Sequence, residues 1–169
     1  QFERFVPGDY AILTAGKQKY SLLLNKDGGI IDDLMAGRPD HDGLFVVVNA
    51  GNKDEDFAFW EANLEGDAKL TVLDRALIAI QGPEAAEVMA AHEPILAEMG
   101  FMECARLMLF GCDCFISRSG YTGEDGYEIS VPVNAADALA RHLLAEPEVQ
   151  PIGLGARDSL RLEAGLCRY

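Results

Sequence analysis

Apolar and polar residues alternate in short runs through the first 70 residues, with turn-forming residues between the runs. Alternation with a period of two is typical of half-buried β-strands. A helix is predicted after these runs, because Phe57, Trp60 and Leu64 recur at helical spacing and Asn52 precedes them as a capping residue. Strands are predicted at residues 10–14, 20–25, 29–35 and 44–49, with tight turns at residues 26–29 and 41–43.

Strands continue beyond residue 70, and three helices are predicted among them. Pro83 is expected at the first position of a helix that runs to about His92, since proline is favoured there. Asn134 is expected to cap a second helix, and a third covers residues 156–164 and ends at Gly165. Strands are predicted at residues 70–73, 76–81, 107–110, 114–117 and 127–131.

The order of these elements predicts the fold class. Strands and helices do not alternate regularly along the chain, and the short turns favour hairpins. The fold is therefore predicted to be α+β, with two small units that have mainly antiparallel sheets and flanking helices. The first unit is expected to cover residues 1–70 and the second residues 71–169.

The charge of the chain excludes some partners. There are 14 basic and 28 acidic residues, which give a formal net charge of -14. This charge repels nucleic-acid phosphates and anionic membrane surfaces, so neither is an expected partner. No apolar run approaches the roughly 20 residues that span a bilayer. In the last 17 residues three arginines outnumber two acids, which suits either an anionic ligand or an ordinary helix with exposed arginines.

The cysteines and histidines predict no metal site. Cys104, Cys112, Cys114 and Cys167 lack the paired spacing of zinc ligands, and the three histidines are scattered singly. The cysteines are interpreted as small apolar residues in a reduced compartment.

Residues 120–128 concentrate three glycines, two tyrosines and three carboxylates immediately before a predicted strand. Glycines allow close approach of the backbone to a flat ligand, and tyrosines offer stacking surfaces. A carboxylate such as Glu128 can accept two parallel hydrogen bonds from an aminopyrimidine or guanidinium edge. Composition alone favours the alternative, a glycine-rich hairpin with solvated acids.

Two further segments carry candidate chemistry. Arg157 and Arg161 lie one helical turn apart and either reach a common site or pair with acids such as Asp158. Asp32 and Asp33 are adjacent in an apolar strand, where alternation directs them to opposite faces. A buried carboxylate is costly unless it is paired, so the inward one is a candidate functional group. The alternative is an edge strand with one solvated acid and one that caps a backbone amide.

Together these segments resemble the glycine-cleavage T-protein family of aminomethyltransferases, in order and in spacing. The resemblance covers essentially the whole chain and is most specific in the last two motifs. The matching motifs are Gly-Gly-Ile-Ile-Asp-Asp-Leu (28–34), Val-Val-Asn-Ala (47–50), Ile-Gln-Gly-Pro (80–83), Gly-Tyr-Thr-Gly-Glu-Asp-Gly-Tyr-Glu (120–128) and Gly-Ala-Arg-Asp-Ser-Leu-Arg-Leu-Glu-Ala-Gly (155–165).

The resemblance implies a three-domain architecture around a funnel that binds tetrahydrofolate, of which this chain would be the middle. An upstream segment and a C-terminal barrel domain would be absent, and the fragment alone is expected to be inactive. The implied reaction moves a methylene unit from the aminomethyl-dihydrolipoyl arm of the H-protein to tetrahydrofolate and releases ammonia. The implied compartment is the cytoplasm in bacteria or the mitochondrial matrix in eukaryotes.

The resemblance also implies roles for individual residues. Asp32 matches the catalytic aspartate of the family. Four residues match positions of the folate site, namely Glu128 at the amino edge of the pterin, Tyr121 in the pocket wall, Asn49 near the same cavity and Arg157 near the pterin or the anionic tail.

One departure leaves the surroundings of Asp32 open. Residues 36–39, Ala-Gly-Arg-Pro, are expected to break the strand early, where the family often continues with β-branched or aromatic residues. Two alternative functions also stay open. One is the folate-binding domain of a related demethylase or of a dimethylglycine or sarcosine dehydrogenase, and the other is a folate-binding module without catalysis.

Overall fold

The computed structural model describes residues 1–41 and 43–167, which form two compact units. The first unit covers residues 1–73, and the second begins at Asp74. Each unit contains one antiparallel sheet and at least one helix, which confirms the predicted α+β class. The upstream segment and the C-terminal barrel stay predictions.

The first unit is a three-stranded sheet followed by a helix. The strands pair in sequence order, and both pairs are antiparallel. The turn between the first two strands is tight, because the side chain of Asn25 accepts hydrogen bonds from the backbone amides of Asp27 and Gly29. The elements are β1 (Lys17–Leu24), β2 (Ile30–Arg38), β3 (Phe45–Val48) and α1 (Lys53–Asn63).

The central strand β2 shows how alternation sets the core of this unit. Asp32, Leu34 and Ala36 are buried on one face, while Asp33 and Met35 on the other face are half-buried. Trp60 of α1 is also buried and belongs to the same apolar cluster as Leu34 and Ala36. The buried face of β2 therefore carries one carboxylate among apolar residues.

Residues 10–14 are not a strand, contrary to the prediction. Tyr10 and Leu13 are buried, but the segment is a turn whose amides at Tyr10 and Ala11 donate to Oε1 of Glu3. The apolar pattern therefore indicated that Tyr10 and Leu13 are buried, and not that the segment pairs with another strand. The strand β2 also continues to Arg38, so the expected early break at residues 36–39 is wrong for residues 36–38. The predicted turn at 41–43 includes Asp42, which lies outside the described residues.

The predicted cap of α1 is also different. Asn52 occupies the N-cap position, but its side chain makes no capping hydrogen bond. Its backbone carbonyl accepts from the amides of Glu55 and Asp56, which is how the helix begins. Three acids in the first turn suit the positive end of the helix dipole.

In its described residues, the second unit has a four-stranded antiparallel sheet in the order β4-β7-β6-β5 and four α-helices. The strands are β4 (Arg75–Gln81), β5 (Cys104–Leu109), β6 (Cys112–Ser117) and β7 (Gly126–Pro132). The helices are α2 (Ala85–His92), α3 (Ile95–Glu98), α4 (Ala136–Leu143) and α5 (Leu154–Glu163).

The core of this unit lies against one face of β7. Tyr127, Ile129 and Val131 are fully buried there, and the Tyr127 hydroxyl donates to the Leu96 carbonyl of α3 at 2.8 Å. Residues that alternate with them point to the opposite face, and Glu128 is one of these. The register of β7 therefore decides where Glu128 lies.

Several predicted boundaries shift in the second unit. Residues 70–73 form no strand, and α2 begins at Ala85 with Glu84 at the N-cap, so Pro83 precedes the helix. Asn134 lies in a short 3-10 turn, and Ala135 occupies the N-cap of α4.

Strand β5 begins at Cys104, earlier than predicted, and the chain leaves it through Phe110 and Gly111, which both have positive φ. Helix α3 was not predicted, because four residues are too few to show helical periodicity. The third predicted helix is confirmed in outline, since α5 ends before Gly165, whose φ is 73°.

Candidate functional site

Candidate residues of the first unit gather around Asp32 on β2. This side chain is only 2% exposed, whereas Asp33 lies on the other face and accepts a hydrogen bond from the Tyr20 hydroxyl at 2.9 Å. The two acids therefore have different surroundings, because a strand turns successive side chains to opposite faces.

Asn49 connects these two acids. It follows β3, which pairs with β2, and its Nδ2 donates to Oδ1 of Asp32 at 3.0 Å. The same nitrogen contacts Oδ1 of Asp33 and lies 3.3 Å from the Asp33 carbonyl oxygen. The structure thus brings together two of the residues predicted for the site, Asp32 and Asn49.

Asp56 is a buried acid of this unit that sequence reasoning missed. Its side chain on α1 has no exposed surface, and no described residue donates a hydrogen bond to either of its carboxyl oxygens. Burial first, and then the charge of Asp32, raises the pKa of Asp56 from 3.8 to about 7. A signal was available, because Asp56 lies one turn before Trp60 on the buried face of α1.

Glu128 is the centre of a second group, in the second unit. It lies half-buried on β7 and accepts a hydrogen bond at Oε2 from the Ser119 hydroxyl, at 2.7 Å. The Ser119 oxygen is in turn 2.9 Å from the Ser117 oxygen, and both serines are buried. Ser119 was also missed, because nothing in a lone serine indicates which acid it will meet.

The glycine-rich segment at residues 120–126 is held by Gln81 at the end of β4. Nε2 of Gln81 donates to the Ser119 carbonyl at 2.9 Å, and Oε1 accepts from the Thr122 hydroxyl at 3.0 Å. A Cβ at Gly120 would lie 1.8 Å from Oε1 of Gln81, so a side chain here would displace the Gln81 amide group that holds the segment. Residues about 40 positions apart in sequence therefore fix the segment before Glu128.

Arg157 of α5 stacks on Tyr121. The guanidinium carbon lies 5.5 Å from the ring centroid, which is within the range of a cation–π contact. The Nε of Arg157 is buried, and no described residue accepts a hydrogen bond from it. Two predicted residues, Tyr121 and Arg157, thus meet in the structure.

Arg161 follows the alternative interpretation. Its Nε donates to Oδ1 of Asp158 at 2.9 Å, and another nitrogen lies 3.4 Å from the Leu166 carbonyl oxygen. Arg161 is therefore occupied within its own helix and turn. Arg168, the third arginine of the basic segment, lies outside the described residues.

The described residues show neither a metal centre nor a membrane-spanning helix. Among residues 1–41 and 43–167, no group of three His, Cys, Asp or Glu side chains is arranged to hold a metal ion. In the same part of the chain, no helix combines the length and the apolar character needed to cross a membrane.

Comparison with known proteins identifies the relatives of this chain. It is 47% identical to the mitochondrial aminomethyltransferases of Canis lupus familiaris and Homo sapiens, over 99% of this chain and 43% of each relative. The crystal structure of the glycine cleavage system aminomethyltransferase T from Bartonella henselae superimposes with a TM-score of 0.90 at 46% identity. That match covers 99% of this chain and 46% of the other, so the chain spans less than half the length of these relatives.

The family model that describes the GCVT N-terminal domain matches residues 1–169. Identity of 46–47% to named aminomethyltransferases, together with the close superposition, agrees with this match. The predicted family is thereby confirmed: the chain belongs to the GCVT N-terminal domain family of the glycine-cleavage aminomethyltransferases.

Proposed function

We propose that this chain is the folate-binding part of an aminomethyltransferase of the glycine cleavage system. In the proposed reaction, a methylene unit passes from the aminomethyl-dihydrolipoyl arm of the H-protein to tetrahydrofolate, and ammonia leaves. The observation that carries the proposal is 46–47% identity, over 99% of the chain, to proteins named aminomethyltransferase.

In the first unit, Asp32 is the proposed catalytic residue. Its carboxylate is removed from water, so its electric field is weakly screened and can stabilise a carbon that becomes electron-poor as ammonia departs. It can also accept a hydrogen bond from the attacking folate nitrogen. Asn49 uses only one of about four acceptor sites of this carboxylate, and its proposed role is to orient it.

In the second unit, three residues are proposed to bind tetrahydrofolate. The Ser119 hydroxyl uses one acceptor site of Glu128, and the remaining sites suit the two N–H groups of an aminopyrimidine edge. Tyr121 offers an aromatic surface, and the guanidinium of Arg157, which stacks on it, is proposed to contact the pterin or the anionic tail.

The compartment is part of this proposal. The relatives from Canis lupus familiaris and Homo sapiens are named mitochondrial, which supports the mitochondrial matrix if the source is a eukaryote, whereas a bacterial source implies the cytoplasm. The lipoylated H-protein is the proposed protein partner.

The experiment is an assay of the complete polypeptide that carries this chain, hereafter the full-length transferase. It is mixed with H-protein loaded with the aminomethyl group and with tetrahydrofolate, and both ammonia and methylenetetrahydrofolate are measured. Equal formation of both products supports the proposal. Folate binding without either product would indicate a binding module, and transfer from dimethylglycine or sarcosine would indicate the demethylase alternative.

A further inference from the structure

Asp56 lies where a carboxylate anion is poorly tolerated. It has no exposed surface, and neither of its oxygens receives a hydrogen bond from a described residue. Burying an ionised carboxyl without such partners costs several kcal/mol, and the usual outcome is that the group keeps its proton. A group that keeps its proton can donate one hydrogen bond.

The charged groups that act on Asp56 do not compensate a negative charge on its carboxyl group. They are all acidic: Asp32 and Asp33 from β2, and Glu55 from α1 itself. The carboxyl of Asp32 is near enough for a side-chain hydrogen bond with Asp56. Two neighbouring carboxyl groups that accept without a donor between them repel each other, and a single shared proton removes this conflict.

The two carboxyl oxygens of Asp32 differ in their hydrogen bonds, and the difference leaves one oxygen able to accept the shared proton. Oδ1 accepts from Asn49 at 3.0 Å, whereas Oδ2 is buried and receives no hydrogen bond from the described residues. Oδ2 of Asp32 and both carboxyl oxygens of Asp56 are thus buried acceptors that receive no hydrogen bond from the described residues.

We propose that Asp56 is a positioning residue for Asp32: its carboxyl group keeps a proton and donates it to Oδ2 of Asp32, so that the pair carries one negative charge. Asn49, which follows β3, then holds Oδ1 of Asp32, and Asp56 of α1 holds Oδ2. This inference rests on the proposed catalytic role of Asp32, and the existence of the shared proton can be tested separately from that role.

The shared proton is tested by nuclear magnetic resonance of the full-length transferase with the aspartate side-chain carboxyl carbons labelled with ¹³C. We expect one carboxyl signal that titrates near neutral pH, that disappears in Asp56→Asn and that moves in Asp32→Asn. The control is Asp54→Asn, which changes an exposed acid of the same helix and should leave this signal unchanged. The absence of a carboxyl that titrates above about pH 6 would overturn the proposal.

The positioning role is tested by kinetics on the same variants. We expect kcat of the wild type to decline as pH rises through about 7, and we expect Asp56→Asn, which retains a donor, to keep most of kcat without this decline. Asp56→Leu has no donor, and we expect kcat to fall by about 100-fold with little change in the KM for tetrahydrofolate. Equal activities of the two variants, or an unchanged pH profile in Asp56→Asn, would contradict the role.

The outcomes separate the two proposals. A titrating pair in a protein that transfers no aminomethyl group would reject the proposed function and leave the pair intact. Transfer without a titrating pair would reject the role of Asp56 alone. If Asp56→Leu does not fold, the pH profile of Asp56→Asn still tests whether Asp56 positions Asp32.

Discussion

Asp32 and Asp33 are neighbours in sequence, yet one is 2% exposed beside Asn49 and the other meets the Tyr20 hydroxyl. Asp32→Asn keeps the size of the side chain and removes its charge. We expect this change to slow transfer by on the order of 100-fold to 1000-fold, since a preorganised charge near the reacting atoms is lost. Asp33→Asn should affect mainly stability.

The comparison is made in the full-length transferase at saturating folate, with folding checked by circular dichroism. If Asp33→Asn is the slower enzyme, the assignment of the catalytic face is wrong. If Asp32→Asn keeps near-normal turnover, the electrostatic role is wrong.

Glu128 is proposed to bind the amino edge of the pterin, which needs acceptors. The Ser119 hydroxyl already occupies Oε2, so the amide of Glu128→Gln would present an N–H donor toward the ligand if its oxygen keeps this bond. We expect tetrahydrofolate binding to weaken by about 1.5 to 3 kcal/mol, as measured by calorimetry. Glu124→Gln in the exposed part of the same loop is the control, and equal affinity of the two variants would remove Glu128 from the site.

Asp56 should also make stability depend on pH. Its pKa is raised from 3.8 to about 7, so between these values the unfolded chain releases a proton that the folded chain keeps. The free energy of unfolding therefore falls as pH rises from about 4 to about 7 and is then constant for this group. Asp56→Asn should remove this loss and gain on the order of 3 kcal/mol over the wild type by about pH 8.

Thermal unfolding of the wild type and of Asp56→Asn, at about pH 4 and about pH 8, tests the direction in which stability changes with pH. The difference in Tm should grow with pH in favour of the variant. An equal difference at both values would show that Asp56 titrates normally.

At the scale of elements, the end of β4 holds the segment that precedes β7. Gln81 bonds both to the Ser119 carbonyl and to the Thr122 hydroxyl, and Tyr121 lies between these two residues. Gln81→Ala removes both bonds without touching any proposed folate contact. We expect tetrahydrofolate affinity to fall by about 1 kcal/mol, with faster amide exchange at residues 120–126.

Gln150→Ala, in an exposed position of the same unit, is the matched control. Unchanged affinity in Gln81→Ala, together with faster exchange, would show that the loop is held by Gln81 but does not bind folate. Unchanged exchange would show that other contacts hold the loop.

At the scale of the whole molecule, the chain spans 43% of the length of the curated relatives that it matches. Transfer requires a reacting centre that is oriented and closed to water. We therefore expect the purified 169-residue chain to form no methylenetetrahydrofolate from loaded H-protein, whereas the full-length transferase does. Product formation by the chain alone, above a blank that contains Asp32→Asn, would refute this prediction.

Local pattern decided much of what the sequence predicted correctly. Strand alternation needs only the strand itself, so it separated Asp32 from Asp33. Turn residues such as those at 26–29 and the stop at Gly165 act within a few residues. The α+β class and the family were accessible for the same reason, because they rest on the order of short segments.

Tertiary structure decided the rest, since burial depends on what packs against a segment. Tyr10 and Leu13 are buried although residues 10–14 form a turn and not a strand, and Glu3 accepts hydrogen bonds from two backbone amides of this turn. Asp56 becomes a proton-holding acid only because the fold removes it from water beside Asp32. Gln81 meets Thr122 across 41 positions, a contact that no local pattern encodes. The sequence by itself thus determined which residues share a face, and the tertiary structure decided which acids lose their solvent and which partners they gain.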